Sequence, residues 1–422
     1  MSAAFHSLLQ TLVRLVQVPS KTFPSVFTRF PMASALSVLA TNVSVSEVIS
    51  GSQEKADVRP AHHANDTRTK FVNPWPSFRP VQALGWKIMT RQGGKMPAVP
   101  EDIATLIPVQ APTWGADMRP DAIKATWLGH ACYLIELPSP ADGVRGPRVL
   151  FDPALSNRCS PFSCMGPVRF TPVPCVIDEL PAVDAIVISH NHYDHTDTAT
   201  LQKLFVKHKP QVFMPLGNGP YLASIGIPAS HTHLLDWWEA RRLSLTLAPA
   251  EGAEGVSTEV VVTCTPCQHT SARGLNDRNA TLWASWAISM PGTPGQESKS
   301  VWFAGDTGYR TVFAGEDEAT LPVCPAFREI GERVGPFDLA LIPIGAYWPR
   351  EMFSDVHCSP AESVCIFKDV RARKALAMHW GTWQLTTEDI MEPPKLLAKE
   401  CASRGVPEGD FAVCGLGETR LF

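Results

Sequence analysis

Ser189-His190-Asn191-His192-Tyr193-Asp194-His195 puts three imidazoles and a carboxylate within six positions, directly after the apolar run Val183–Ile188. Imidazole nitrogen and carboxylate oxygen are donors that zinc prefers. The two-residue spacing divides them, so that His190 and His192 can serve one cation while Asp194 and His195 turn towards a second. A histidine-rich polar surface loop is the plain alternative, and four donors in six positions behind a buried strand weigh against it. Downstream, His269 follows Val260–Cys267, Asp306 lies in Phe303-Ala304-Gly305-Asp306-Thr307-Gly308, and His379 follows Ala375–Met378. Singly each is weak, because a lone strand-end histidine is more often a hydrogen-bonded structural residue. Together they supply the partners that two sites need. Two neighbouring cations acidify a water that they share and neutralise charge on a phosphoryl or acyl oxygen. Asp306 is suited to bridge them, and no nucleophilic serine or cysteine stands in a convincing setting.

The elements that must position these residues are short. From Phe71 onward, apolar and β-branched runs alternate with Pro/Gly loops: Ala125–Leu137, Val183–Ser189, Thr258–Thr265, Ser300–Ala304, Leu339–Ile344 and Ala375–Met378. With a few helical stretches such as Ala361–Asp369, the pattern predicts a sheet-rich α/β domain. A chain of 422 residues with 45% apolar content can bury a large core. Net charge −4 provides no overall basic field for nucleic acid. Eleven cysteines form no regular framework, so thiols in a reducing compartment are expected rather than disulfides. The one CxxC, Cys264–Cys267, reads as small core residues on a strand.

Residues 1–50 differ from the rest. No acidic residue precedes Glu47, and Phe5, Leu8, Leu9, Leu12, Val13 and Val16 fall at helical spacing. A mitochondrial transit peptide is the first reading, an in-plane membrane helix the second and a disordered leader the third. Polar residues 51–70 read as a linker, leaving 71–422 as the catalytic domain. No apolar run is long enough for a membrane span.

The order HxHxDH, His, Asp, His is the pattern of the metallo-β-lactamase fold, an αββα sandwich, and Phe151-Asp152-Pro153 matches that fold's first acidic motif. There the aspartate orients ligands rather than binding metal. Longer stretches narrow the resemblance: Phe71-Val72-Asn73-Pro74-Trp75-Pro76, Thr126–Ala131, Met165–Phe170, Leu235-Asp236-Trp237-Trp238-Glu239, Phe303–Tyr309, Gly335–Tyr347, Ala377–Thr382 and Glu392-Pro393-Pro394. From about Phe71 to Phe422 the chain resembles the N-acyl-phosphatidylethanolamine-hydrolysing phospholipase D family. The resemblance implies one zinc ion on His190, His192 and His269, a second on Asp194, His195 and His379, and Asp306 bridging. It also implies hydrolysis of that phospholipid to an N-acylethanolamine and phosphatidic acid, with membrane association and a homodimer; the reducing compartment read from the cysteines adds an intracellular location.

Against the family pattern, Arg310–Val323 is an extra segment, expected by default to loop into solvent, with a lid or altered dimer contacts as alternatives. Val356 stands where relatives carry a glutamine. The neighbouring His357 can still face the substrate phosphate and is the candidate acid for the leaving oxygen. Tyr193 is a candidate for the substrate entrance, with packing as its plain alternative. His130 reads as structural, and Arg350 as a structural salt bridge before a phosphate partner. Trp237, Trp238, Trp283, Trp286, Trp348 and Trp380 read mostly as core, with a membrane-interface role as the alternative. Rival functions are another hydrolase of this fold, a lactonase or nuclease, and a non-catalytic membrane-binding relative. The absent Lys/Arg run weighs against a nuclease, and seven intact donor positions weigh against a non-catalytic protein.

Overall fold

A computed structural model describes residues 38–48, 59–81, 96–116, 118–162, 164–292 and 297–422. Eight strands make one sheet in the order β1-β8-β9-β10-β11-β12-β13-β14. They are β1 (Thr41–Glu47), β8 (Ala240–Leu247), β9 (Val256–Thr265), β10 (Ser285–Met290), β11 (Lys299–Phe303), β12 (Phe337–Pro343), β13 (Ala372–Met378) and β14 (Phe411–Ala412). Seven make the other, in the order β15-β2-β3-β4-β5-β6-β7. These are β15 (Thr419–Leu421), β2 (Lys124–Gly129), β3 (Cys132–Glu136), β4 (Arg148–Phe151), β5 (Ala185–Val187), β6 (Gln211–Pro215) and β7 (Thr232–Leu235). Each sheet is antiparallel in one part and parallel in the other, β11 to β14 in the first and β4 to β7 in the second.

Parallel neighbours require a crossover, and helices supply it. Helix α1 (Thr198–His208) joins β5 to β6, α2 (Ala326–Arg333) lies between β11 and β12, α3 (Pro360–Asp369) joins β12 to β13, and α4 (Glu392–Ser403) joins β13 to β14. Local chemistry fixes their starts. The Asp197 carboxylate accepts from the Ala199 and Thr200 amides at α1, and Ser359 and Glu362 form a reciprocal capping box at α3, where Pro360 takes the first helical position.

Side-chain alternation explains the layering. In the second sheet Trp127, Tyr133, Ile135, Phe151, Val187 and Phe213 face the core shared with the first sheet. Their neighbours Leu128, Leu134, Leu150, Ile186, Val212 and Met214 pack instead with Leu201 and Leu204 of α1. Both faces are buried, so these strands read as continuous apolar runs. The first sheet is covered on its outer side by Phe327, Ile330, Val364 and Phe367 of α2 and α3. The result is the expected αββα sandwich. No helix among the described residues is long and apolar enough to cross a membrane.

The N-terminal expectations need correction. Within the expected leader, Thr41–Glu47 is strand β1, paired antiparallel with β8 from Thr41↔Thr246 to Glu47↔Arg241. Its mostly exposed side chains explain why its sequence reads as polar. Residues 1–37 and 49–50, with the amphipathic spacing Phe5–Val16, lie outside the described residues. Of the expected linker, residues 59–70 form a strap fastened to the domain. His62 Nε2 donates to Asp236 Oδ1 at 2.7 Å, His63 Nε2 lies 2.8 Å from Asp236 Oδ2, and the His62 ring stacks on Trp237. Burial by paired polar groups leaves no apolar signature, which is why the segment looked like a linker.

The extra segment Arg310–Val323 does not simply loop into solvent either. Thr311 and Val312 are buried, the Thr311 amide donates to Ser77 O, and Glu316 pairs with Arg79 at 2.6 Å. Trp237, Trp283, Trp286 and Trp380 are buried, Trp238 stacks under the Arg333 guanidinium, and Trp348 is 48% exposed. All eleven cysteines are free, with Cys264 and Cys267 in the core as expected.

Candidate metal centre

The donor residues sit where strands of both sheets end. His190 follows β5, His269 follows β9, Asp306 follows β11 and His379 follows β13, while Asp152 follows β4. Several of these turns hold non-glycine residues in the left-handed region: His130 (φ 52), Asp152 (φ 37) and His379 (φ 62). Such conformations cost energy and gather where function needs a particular direction. Gly305 (φ 59), next to Asp306, is required, because a Cβ there would lie 2.6 Å from Ser189 Cβ.

Asp152 is fully buried and binds no open face. Its carboxylate accepts from the Ser189 amide (2.7 Å), the Ser189 hydroxyl (2.6 Å) and His195 Nδ1 (2.6 Å). These contacts fix Ser189 and the His195 ring. With Nδ1 engaged, His195 presents Nε2 forward. The Ser189 oxygen also accepts from His190 Nδ1 (2.9 Å), and Val356 O accepts from His269 Nδ1 (2.9 Å), so both present Nε2 as well.

Two donor sets result. In the first, His190 Nε2 is 2.8 Å from His192 Nδ1, which is 3.3 Å from His269 Nε2. Burial, reinforced by the neighbouring imidazoles, pushes His190 and His269 well below the usual range, leaving neutral rings with free lone pairs. In the second, Asp194 Oδ2 is 3.4 Å from His195 Nε2 and 3.5 Å from His379 Nε2. Asp306 lies between the sets. Its Oδ1 is 3.0 Å from His379 Nε2, and its Oδ2 is 3.1 Å from His195 Nε2, 3.8 Å from His269 Nε2 and 3.9 Å from His190 Nε2. Burial opposes ionisation of Asp306 and Asp194, but the surrounding imidazoles outweigh it and hold both carboxyls well below the usual range. The same carboxylates overcome burial at His195, raised well above its usual value, and at His379, raised to about 9.

These groups fit a divalent metal. His195 Nε2, His379 Nε2 and the Asp306 carboxylate are buried and converge, with His195 Nε2 3.1 Å from Asp306 Oδ2 and His379 Nε2 3.0 Å from Asp306 Oδ1. Nitrogen and oxygen donors converging this way in a buried cluster are what a borderline cation takes. All seven donors expected from the sequence are brought together.

Around them, His130 acts as a support: its Nε2 donates to Asp194 Oδ2 at 3.1 Å. His357 reaches the site, with Nδ1 3.9 Å from Asp306 Oδ2, and burial pushes its imidazole down to about 4. Arg350 is a structural ion pair, 2.8 Å from Glu362, and also donates to His357 O. Tyr193 is half-buried; its hydroxyl donates to Arg273 O (2.8 Å) and one ring face is covered by the Arg273 guanidinium at 4.1 Å. Residues missed from the sequence include Arg273, Ser189 and Asn73, whose Nδ2 donates to His269 O at 2.7 Å. Ser189 had a signal in its place beside the first ligand and Asn73 in the stretch Phe71–Pro76, while Arg273 had none. Val356 acts through a carbonyl that any residue would supply.

A family model described as a β-lactamase superfamily domain matches residues 147–380. The chain is 34% identical over 362 residues to N-acyl-phosphatidylethanolamine-hydrolyzing phospholipase D 1 of Caenorhabditis elegans, covering 82% of this chain and 91% of that one. It is 30% identical to the mitochondrial N-acyl-phosphatidylethanolamine-hydrolyzing phospholipase D of Saccharomyces cerevisiae, covering 78% and 70%. An uncharacterized protein of Mycobacterium tuberculosis is 36% identical, covering 75% and 72%. With the sandwich and its convergent donors, this similarity along most of both sequences identifies a metal-dependent hydrolase, and the chain belongs to the N-acyl-phosphatidylethanolamine-hydrolysing phospholipase D family of the metallo-β-lactamase superfamily.

Proposed function

We propose that this chain hydrolyses N-acyl-phosphatidylethanolamine to an N-acylethanolamine and phosphatidic acid, with two zinc ions as cofactors. The observation that carries the two-ion reading is Asp306, whose carboxylate lies within 4 Å of imidazoles from both donor sets. His190, His192 and His269 would hold one ion, Asp194, His195 and His379 the other, with Asp306 common to both. When bound, the ions supply Lewis acidity, which acidifies water and offsets charge on phosphoryl oxygens. The names of the worm and yeast relatives support the substrate.

The chain's own residues prepare this chemistry. Asp152, Ser189 and the Val356 carbonyl fix the ring directions of His195, His190 and His269. His357, near 4 in the substrate-free site, meets substrate as a neutral imidazole able to hydrogen-bond a phosphoryl oxygen. An incoming phosphodiester is anionic and pushes that pKa back up, so proton delivery to the leaving oxygen requires bound substrate.

A membrane surface as partner is supported by exposed apolar side chains on loops that follow ligand-bearing or supporting strands: Phe162, Met165, Leu275 and Trp348. The basic, acid-free leader and the yeast relative's mitochondrial designation support a mitochondrial address. A homodimer is proposed from the family resemblance alone.

Oxygen-18 water tests the reaction. Attack at phosphorus breaks the bond between phosphorus and the N-acylethanolamine oxygen, so label is expected in phosphatidic acid and absent from the N-acylethanolamine. Label in a released fatty acid would mean carbonyl attack and would end the phospholipase D reading.

A further inference from the structure

We infer that Arg273 is a positioning residue that locks the loop carrying His192, Asp194 and His195 and thereby sets the second donor set against the first. The loop's own bonds are few. The His195 and Thr196 amides both donate to His192 O, and the Thr196 hydroxyl donates to His190 O. Arg273 adds bonds to two further carbonyls. Its Nη1 donates to Asn191 O at 2.9 Å and Thr196 O at 2.8 Å, and Nη2 reaches Thr198 Oγ1 at 3.4 Å. One guanidinium therefore ties the residue after the first ligand to the residue after the last ligand of the motif. A planar fork with several fixed donors suits this; an ammonium offers no such plane.

The guanidinium is itself held. Tyr193 and Tyr221 clamp its two approaches, with ring centroids 4.1 and 4.6 Å from Cζ. Tyr193 is tied to Arg273 O, and the Tyr221 hydroxyl bonds Thr198 Oγ1 at 2.9 Å. The Asp277 carboxylate accepts from the Arg273 amide (3.0 Å) and the Gly274 amide (2.8 Å), fixing the backbone from which the side chain projects. The arm is also short: His269, a donor of the first set, lies only four residues earlier. One rigid segment thus delivers a ligand to one set and closes the loop that holds two ligands of the other. Arg273 touches none of the reacting atoms. Its effect passes through Asp194 and His195, and rests on metal binding rather than on the identity of the substrate.

The test uses the full chain, Arg273→Met and Arg273→Lys, with zinc content at buffered free zinc, the cobalt(II) absorption spectrum, and metal-free melting as readouts. Supports around metal ligands are typically worth about 10–100-fold in affinity. Arg273→Met is expected to lose affinity for one ion by about that factor and to alter the cobalt spectrum, while its metal-free melting shifts little. Arg273→Lys, which keeps a donor but neither fork nor stack, is expected between the two. Parent-like zinc affinity and cobalt spectrum in Arg273→Met would overturn the inference, as would a loss of metal that merely parallels a loss of metal-free stability. If Arg273→Met does not fold, Arg273→Lys decides on the same readouts, and parent-like binding there overturns it. A parent chain that binds no metal would instead defeat the metal reading itself.

Discussion

Asp306 and Asp355 are both buried carboxyls, and their surroundings give them opposite fates. Imidazoles on two sides keep Asp306 ionised. Asparagine at 306 keeps the shape and removes the charge common to both donor sets. Asp306→Asn is expected to bind fewer than two metal ions per chain and to lose activity by orders of magnitude, with circular dichroism unchanged; metal analysis and a phospholipid assay check this. Asp355 receives the Val81 amide, and burial pushes its carboxyl up to about 6 against the weaker opposing pull of the Arg278 charge. A raised acid favours the folded state when protonated. Its contribution is therefore fully present below pH 3.8, and it is lost as pH rises through about 6. Asp355→Asn removes that loss. Its stability relative to the parent should rise between about pH 4 and 7 by on the order of 3 kcal/mol, then level off. Denaturant melts at several pH values read this directly, and a pH-independent difference would contradict it.

Between residues and fold, legibility depended on how an element is buried. Strands of the second sheet are buried on both faces, so Ala125–Leu137 and Val183–Ser189 were visible as apolar runs. The donors at strand ends were visible because their residue types are rare together. The strap at 59–70 was not, because its anchor is an aspartate holding two histidines rather than a patch of apolar side chains. Edge strand β1 was missed because its exposed side chains make no demand for hydrophobicity. The contact of Tyr193 with Arg273 was not visible because the two lie eighty positions apart, and no local spacing encodes it. The strap's anchor makes a prediction. Asp236→Ala leaves buried His62 and His63 without their carboxylate, at a cost on the order of 2 kcal/mol. The same strap leads to Asn73, which holds the His269 carbonyl, so metal affinity should fall alongside the melting temperature. Unchanged melting in Asp236→Ala would mean the strap is not fastened there.

At the scale of the whole molecule, the two sheets meet at one edge, where their strand ends bring the buried imidazole and carboxylate donors together. A ligand that binds only the folded state adds stability that grows with its concentration relative to Kd, about 4 kcal/mol at a thousandfold excess. Chelation should lower the melting temperature by several degrees and restored zinc should recover it, as scanning calorimetry would record; an insensitive melt would mean the site is not loaded. Strand β1 carries a different consequence, for maturation. Its backbone is paired with β8, and the Val38 carbonyl just before it accepts from Arg145 Nε at 3.1 Å. A processing protease needs an extended, unpaired stretch of backbone in its cleft, and residues 38–47 surrender theirs only by peeling a strand from the sheet. For a leader of the kind proposed above, position 38 would act as a ruler: clipping of the folded protein is expected at or before residue 37, leaving the strand in the remaining chain.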